Sequence, residues 1–166
     1  MRRTGWSAVG LVAILVAPVS FGRADEKVLD KVPKAVQQAV KSKYAGAEIL
    51  GAAEEKADGK TSYEVYMKLN GKGLDVTFSA TGAVEVVEKE IDAKELPKQI
   101  VAAIEKKHPN PKYSKVEEIS KVKDGKMAVD IYEILFTTPA KKTIEMTFAA
   151  DGKLTGEVDK TGTKKD

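Results

Sequence analysis

Two clauses of nearly the same wording, TFSATGAVEVVE from Thr77 to Glu88 and TFAADGKLTGEV from Thr147 to Val158, stand seventy residues apart. A repeat of that span constrains the fold strongly, because each copy must be one supersecondary unit whose apolar face its own elements or its twin can bury. The copies begin well upstream of the clauses. Val32-Pro33-Lys34 matches Leu96-Pro97-Lys98 at an interval of 64, and Val36, Ala39, Val40 and Tyr44 then meet Ile100, Ala103, Ile104 and His108. Apolar residues at i, i+4, i+7 and i+8 draw one stripe along a helix of about three turns. A proline in the first turn suits both helix starts, where its missing N–H is no loss. Asp92 with Glu95 three residues on resembles a capping box for the second helix.

Downstream, ADGK at Ala57–Lys60 answers KDGK at Lys123–Lys126, Tyr66 answers Tyr132, and Phe78 and Gly82 answer Phe148 and Gly152. The interval grows where YAGA becomes HPNPKY and where LNGKG becomes LFTTPAKKT, both loops, where a duplicated unit tolerates insertion. Asp-Gly, Asn-Gly and Thr-Gly pairs punctuate each copy into hairpins. The expected strands are Glu48–Lys56, Thr61–Leu69, Gly73–Ser79, Val84–Ile91, Tyr113–Lys123, Lys126–Thr137, Lys142–Ala149 and Leu154–Val158. The expected fold is therefore α+β: two tandem α-β-β-β-β repeats forming one antiparallel sheet of about eight strands, with both helices on one face. Residues 25–91 make the first repeat, 92–158 the second, and 159–166 a flexible tail.

Residues 1–24 read as a secretory signal peptide: Arg2 and Arg3 lead an apolar run from Ser7 to Val19, and small residues at Gly22 and Ala24 suit cleavage before Asp25. The run is too short to span a bilayer, which takes roughly 18 or more apolar residues. The expected protein is exported, periplasmic or extracellular, with no membrane insertion after cleavage. The three arginines all precede the cut, so 25 lysines face 25 acids in what remains. A neutral chain without arginine is a poor ligand for nucleic acid, and none is expected as a partner. The absence of cysteine excludes disulfides and thiolate chemistry.

The catalytic inventory is thin. His108 is the only histidine and sits at a helix end, where its ring is expected to pack against the sheet edge. Glu54-Glu55 and Glu117-Glu118 are adjacent on strands and point to opposite faces, so neither forms a convergent dyad. Glu85, Glu88 and Glu90 are expected to solvate an edge strand. No enzyme activity, metal site or cofactor is expected. Alternation puts Val65, Met67 and Leu69 under the first helix with Leu74, Val76 and Phe78, and Val129, Ile131 and Leu135 under the second with Ile144, Met146 and Phe148. By the same count Tyr66, Tyr132, Ile134 and Phe136 face away from the helices, an apolar patch suited to anchor a partner.

The two helix-plus-four-strand units, each opening on Val32-Pro33 or Leu96-Pro97, the helix end Lys107-His108-Pro109, the tyrosine-bearing second strands and the Phe-to-Gly clauses resemble the PepSY-like family of exported proteins, also described as beta-lactamase-inhibitor-like. The resemblance spans Val32 to Val158 and implies a non-enzymatic module that binds another protein and inhibits it. Two features depart from it: Tyr44-Ala45 stands where a tyrosine-proline step is common, and no tryptophan follows Trp6. A face of eight strands offers roughly 750 Å², near the 800 Å² or so that each partner gives to a standard interface. The alternative is a periplasmic small-ligand or metal-ion sensor or carrier using carboxylates and His108. Neither the partner's identity nor the oligomeric state is legible.

Overall fold

The computed structural model describes residues 26–57 and 59–163. The expected signal segment, 1–24, lies outside the described residues, as do positions 164–166 of the expected tail. The chain runs through a short helix α1 (Glu26–Leu29), helix α2 (Lys34–Lys43), strands β1 (Glu48–Ala57), β2 (Lys60–Leu69), β3 (Lys72–Ser79) and β4 (Val84–Glu90), a 3-10 turn (Ala93–Glu95), helix α3 (Lys98–Lys107), and strands β5 (Lys112–Lys123), β6 (Lys126–Thr137), β7 (Thr143–Ala149) and β8 (Leu154–Asp159). The eight strands form one antiparallel sheet in the order of the chain, β1 to β8. β4 and β5 join the two units directly, Val87 opposite Ser120 and Glu90 opposite Glu117.

Pro33 and Pro97 stand at the N-caps of α2 and α3 with φ near −54°, already helical at that angle. Each carbonyl accepts the first helical N–H, from Val36 at 2.9 Å and from Ile100 at 2.9 Å. The capping box forms one element earlier than expected. Glu95 accepts the Asp92 N–H at 2.8 Å and so closes the 3-10 turn rather than α3, while Lys72 of β3 holds both carboxylates, at 2.9 and 3.3 Å.

Residues directly opposite in antiparallel strands share a face, so the register decides what lies under the helices. Met67 faces Leu74, Val65 faces Val76, and Val76 faces Val87. Ser120 continues that side from Val87, and Glu118, two residues back, leads to Tyr132 and Phe148. One side of the sheet thus carries both cores. Val36 and Val40 of α2 pack on Val65, Met67, Leu74, Val76 and Phe78. Ile100 and Ile104 of α3 pack on Val116, Ile134, Phe136, Met146 and Phe148. Each such side chain, removed from water, contributes about 1.5–3 kcal/mol.

The repeated clauses seat these helices. Gly82 and Gly152 adopt φ +80° and +82° in the β3–β4 and β7–β8 turns, a conformation that favours glycine. A Cβ on Gly82 would lie 2.5 Å from the Ala35 carbonyl oxygen, and one on Gly152 would lie 2.5 Å from Cγ of Gln99. Each turn therefore lies against the first turn of its own helix, and the Phe-to-Gly wording recurs because both ends of the clause touch the helix layer. Beyond β8, the Lys160 N–H bonds the Thr143 carbonyl at 2.8 Å and the Thr143 N–H bonds Thr161 Oγ1 at 3.0 Å.

Candidate functional site

The four residues expected to share a binding patch are not brought together. Tyr66 lies on the helix-free face, opposite Asp75 and Gly51. Tyr132, Ile134 and Phe136 lie on the other face, 8%, 0% and 0% exposed, inside the core beneath α3. Two causes produce the reversal. β6 bulges between Val129 and Ile131, where Ser120 and Ile119 oppose them and Asp130 is left over. A bulge inverts the alternation on either side of itself. The repeat is also shifted by three residues here. Tyr132 opposes Phe148 as Tyr63 opposes Phe78, so the counterpart of Tyr132 is Tyr63 and not Tyr66. Consequently Ile131 and Leu135, expected in the core, are on the helix-free face with Ile119, Thr147 and Glu145.

Carboxylates occupy the helix-free face instead. Following the register from β1 to β7, each strand places one there: Glu55, Glu64, Asp75, Glu88, Glu117, Glu133 and Glu145. Glu90 adds an eighth beside Glu117. β4 lies in the middle of the sheet, not at its edge as expected, so Glu88 and Glu90 are flanked on both sides. Asp75 stands directly opposite Glu88, and Glu117 stands between Glu90 and Glu133. Like charges in directly opposite positions destabilise a sheet. Glu64 and Glu117 are each only 8% exposed.

Local contacts ease part of this repulsion. The Tyr66 hydroxyl donates to Glu64 Oε2 at 2.5 Å, and the Tyr66 ring lies over Gly51, where a Cβ would sit 3.1 Å from it. The Gly73 N–H donates to Glu90 Oε2 at 3.0 Å. Lys115 pairs with Glu117 at 2.7 Å, and Lys160 with Glu145 at 3.2 Å. Burial and the crowding of like charges also shift several of these acids toward their protonated forms. Desolvation, then Glu64 and Glu117, push Asp75 up to about 6. Desolvation, then Glu117, Glu64 and Asp75, push Glu88 up to about 7. Desolvation with neighbouring acids also raises Glu133 and Glu55.

The helix side holds His108 at the end of α3. Its ring packs 5.4 Å from that of Phe136, and its Nε2 lies 3.3 Å from Glu157 of β8. Lys107 holds the same carboxylate at 2.5 Å. Among the described residues no three His, Asp or Glu side chains are placed to hold a metal ion. A cavity of about 280 Å³ at the β2–β3 turn is lined by Leu69, Lys72, Gly73, Leu74 and Glu90 among others. The carboxylate of Glu90 is taken by Gly73 and the ammonium of Lys72 by Asp92 and Glu95. Its size falls below that of ordinary ligand pockets, which start near 300 Å³.

An α+β meander of this kind, two helix-plus-four-strand units with one face helix-clad and one bare, defines the class. The chain belongs to the PepSY-like family: the model of the family described as "Putative beta-lactamase-inhibitor-like, PepSY-like" matches residues 24–84 and again 61–156. Three solved structures share the fold. A protein of Bacteroides eggerthii described as a "putative periplasmic" protein is 18% identical, with 81% of this chain and 93% of that one covered at a TM-score of 0.60. A protein from Bacteroides uniformis is also 18% identical, with 80% and 93% covered at 0.59. A "BLIP-like protein" from Bacteroides fragilis is 19% identical, with 81% and 91% covered at 0.53. No curated protein matches the chain. Among the described residues no helix is long and apolar enough to cross a membrane.

Proposed function

We propose that the protein is an exported, non-enzymatic binding module that docks a partner protein on the helix-free face of its sheet and inhibits an extracytoplasmic enzyme by doing so. The observation that carries this reading is the one-sided sheet: eight strands wide, armoured by α2 and α3 on one side, and covered by no described element on the other. The inhibitor-like description of the family and the signal pattern of residues 1–24 support it. The docking surface consists of Tyr66 and the carboxylates, with Ile131, Leu135 and Val158 as its apolar contribution, in place of the patch that the alternation implied. Val158 is 48% exposed on β8.

The test is capture of partners from the exported fraction by the immobilised protein and by two variants. Tyr66→Ala/Leu135→Ala/Val158→Ala alters the bare face, and Lys98→Ala/Glu105→Ala alters the exposed side of α3. Loss of a captured band with the first variant alone is the expected result. Equal capture by all three forms removes the face as the docking surface.

A further inference from the structure

The chain without its first 24 residues is electrically balanced, yet the fold sorts its charges. Seven of its acids lie one per strand across β1 to β7 on a single face, and among the described residues only Lys115 and Lys160 are ion-paired to them there. Part of this arrangement is written twice. Glu64 opposes Thr77 as Glu133 opposes Thr147, and Asp75 and Glu145 lie two residues before those threonines. Both units therefore present carboxylates at equivalent places. The direct pairs Asp75–Glu88, Glu90–Glu117 and Glu117–Glu133 are unfavourable in the isolated protein, whereas a cation laid between two such acids would turn each repulsion into two attractions. Burial matters as well: a carboxylate only 8% exposed, as Glu64 and Glu117 are, is screened less by salt than one in open water.

We propose that the helix-free face recognises a protein surface presenting several lysine or arginine side chains, and that docking weakens as the medium is acidified. This rests on the reading of that face as the docking surface. Arginine suits it best, since a planar guanidinium can bridge two carboxylates on neighbouring strands about 4.8 Å apart. The acid dependence follows from what surrounds Asp75 and Glu88. Tyr66 and Glu64 reach them from β2, Glu117 and Lys115 from β5, and Glu133 from β6. Their protons are held at pH values near 6 and 7, and an incoming cation must displace them before it gains the full charge.

The experiment is titration calorimetry of the purified protein with a capped hexa-arginine peptide, with hexa-glutamate as the reverse-charge control. Binding is expected to tighten on the order of tenfold between about pH 5.5 and about pH 8, because two further carboxylates ionise and each contact is worth a factor of about five in water. Near pH 6.5, roughly half a proton should be released per peptide bound, seen as a dependence of the heat on the buffer's ionisation enthalpy. Glu88→Gln/Glu133→Gln should weaken binding at the higher pH and flatten its pH dependence, and Glu105→Gln on α3 should change neither. Both substitutions at the bare face relieve repulsion, so the folded state survives them. Equal affinity at the two pH values overturns the proposal. So do indifference to Glu88→Gln/Glu133→Gln, equal binding of hexa-glutamate, stoichiometric calcium that expels the peptide, and a self-associated dimer that shuts it out. If the peptide fails while the bare-face variant still loses its captured partner, the partner chemistry falls and the docking face stands.

Discussion

The two units place the same turn under the same helix but with different tolerance. In the first, Gly82 approaches the backbone of Ala35, and in the second, Gly152 approaches the flexible side chain of Gln99. Their cores differ in bulk as well. Where the first unit sets Val65, Met67, Leu74 and Val76, the second sets Ile134, Phe136, Ile144 and Met146 at the matching register positions. On the bare face, Glu88 of the first unit answers Val158 of the second, since both stand two residues beyond the partner of the clause threonine. The duplicated frame has thus been specialised: the second unit holds the larger core, and the first, with the seam, holds the most strongly perturbed acids.

The largest test of this contrast is core truncation. Phe136→Ala should cost about 3–5 kcal/mol and Val65→Ala clearly less, measured by denaturant unfolding. A loss of docking without loss of stability in Phe136→Ala would put that ring back on the bare face. The turns come next. Gly82→Ala should cost more than the roughly 1–3 kcal/mol of an unfavourable positive φ, because backbone must also shift, whereas Gly152→Ala should stay within that range as Gln99 swings aside. Equal costs would mean that the two turns meet their helices alike.

Acidity discriminates the two halves of the bare face with a smaller effect. Asp75 and Glu88 have folded pKa values above those of the unfolded chain. The folded state therefore binds the extra protons between about pH 4 and 7, and the stability they contribute is complete below the ordinary carboxylate range. That contribution is lost as the pH rises through about 6 to 7. Glu88→Gln should raise the melting temperature by about 2–4 °C at pH near 8 and by much less near pH 5. The counterpart Val158→Glu, on an exposed edge, should leave that pH dependence unchanged. The smallest effect belongs to the helix ends. Tyr44 and His108 both close a helix over a phenylalanine, at 6.3 and 5.4 Å, and only His108 meets a carboxylate. Glu157→Gln should cost no more than about 0.5–1 kcal/mol.

Most of the fold was legible in the chain, because turn dipeptides and a repeated helix stripe are local signals. Every strand and both long helices lie within a residue or two of where the pattern puts them. The bare face was legible only in part. Tyr66 was placed correctly because β2 runs without interruption through Ser62 to Leu69 against β3. Tyr132, Ile134 and Phe136 were not, because a bulge at Asp130 leaves no mark in the sequence beyond a charged residue amid apolar ones. The same slip concealed the carboxylates, whose common face depends on the cross-strand register from β1 to β7 rather than on spacing along any one strand. One signal could have exposed it: under the shifted alignment, Tyr63 and Tyr132 each stand one residue before an acid, Glu64 and Glu133.

The sheet's strict chain-order pairing also bears on how the molecule comes to exist. Every pair of neighbouring strands is joined by five residues or fewer except at the β4–β5 seam, whose connection carries α3. Loop-closure entropy is then low at nearly every step, and such local wiring favours rapid assembly. A chain emerging N-terminus first can complete α2 through β4 before the rest arrives, leaving β4 as the template on which the second unit grows.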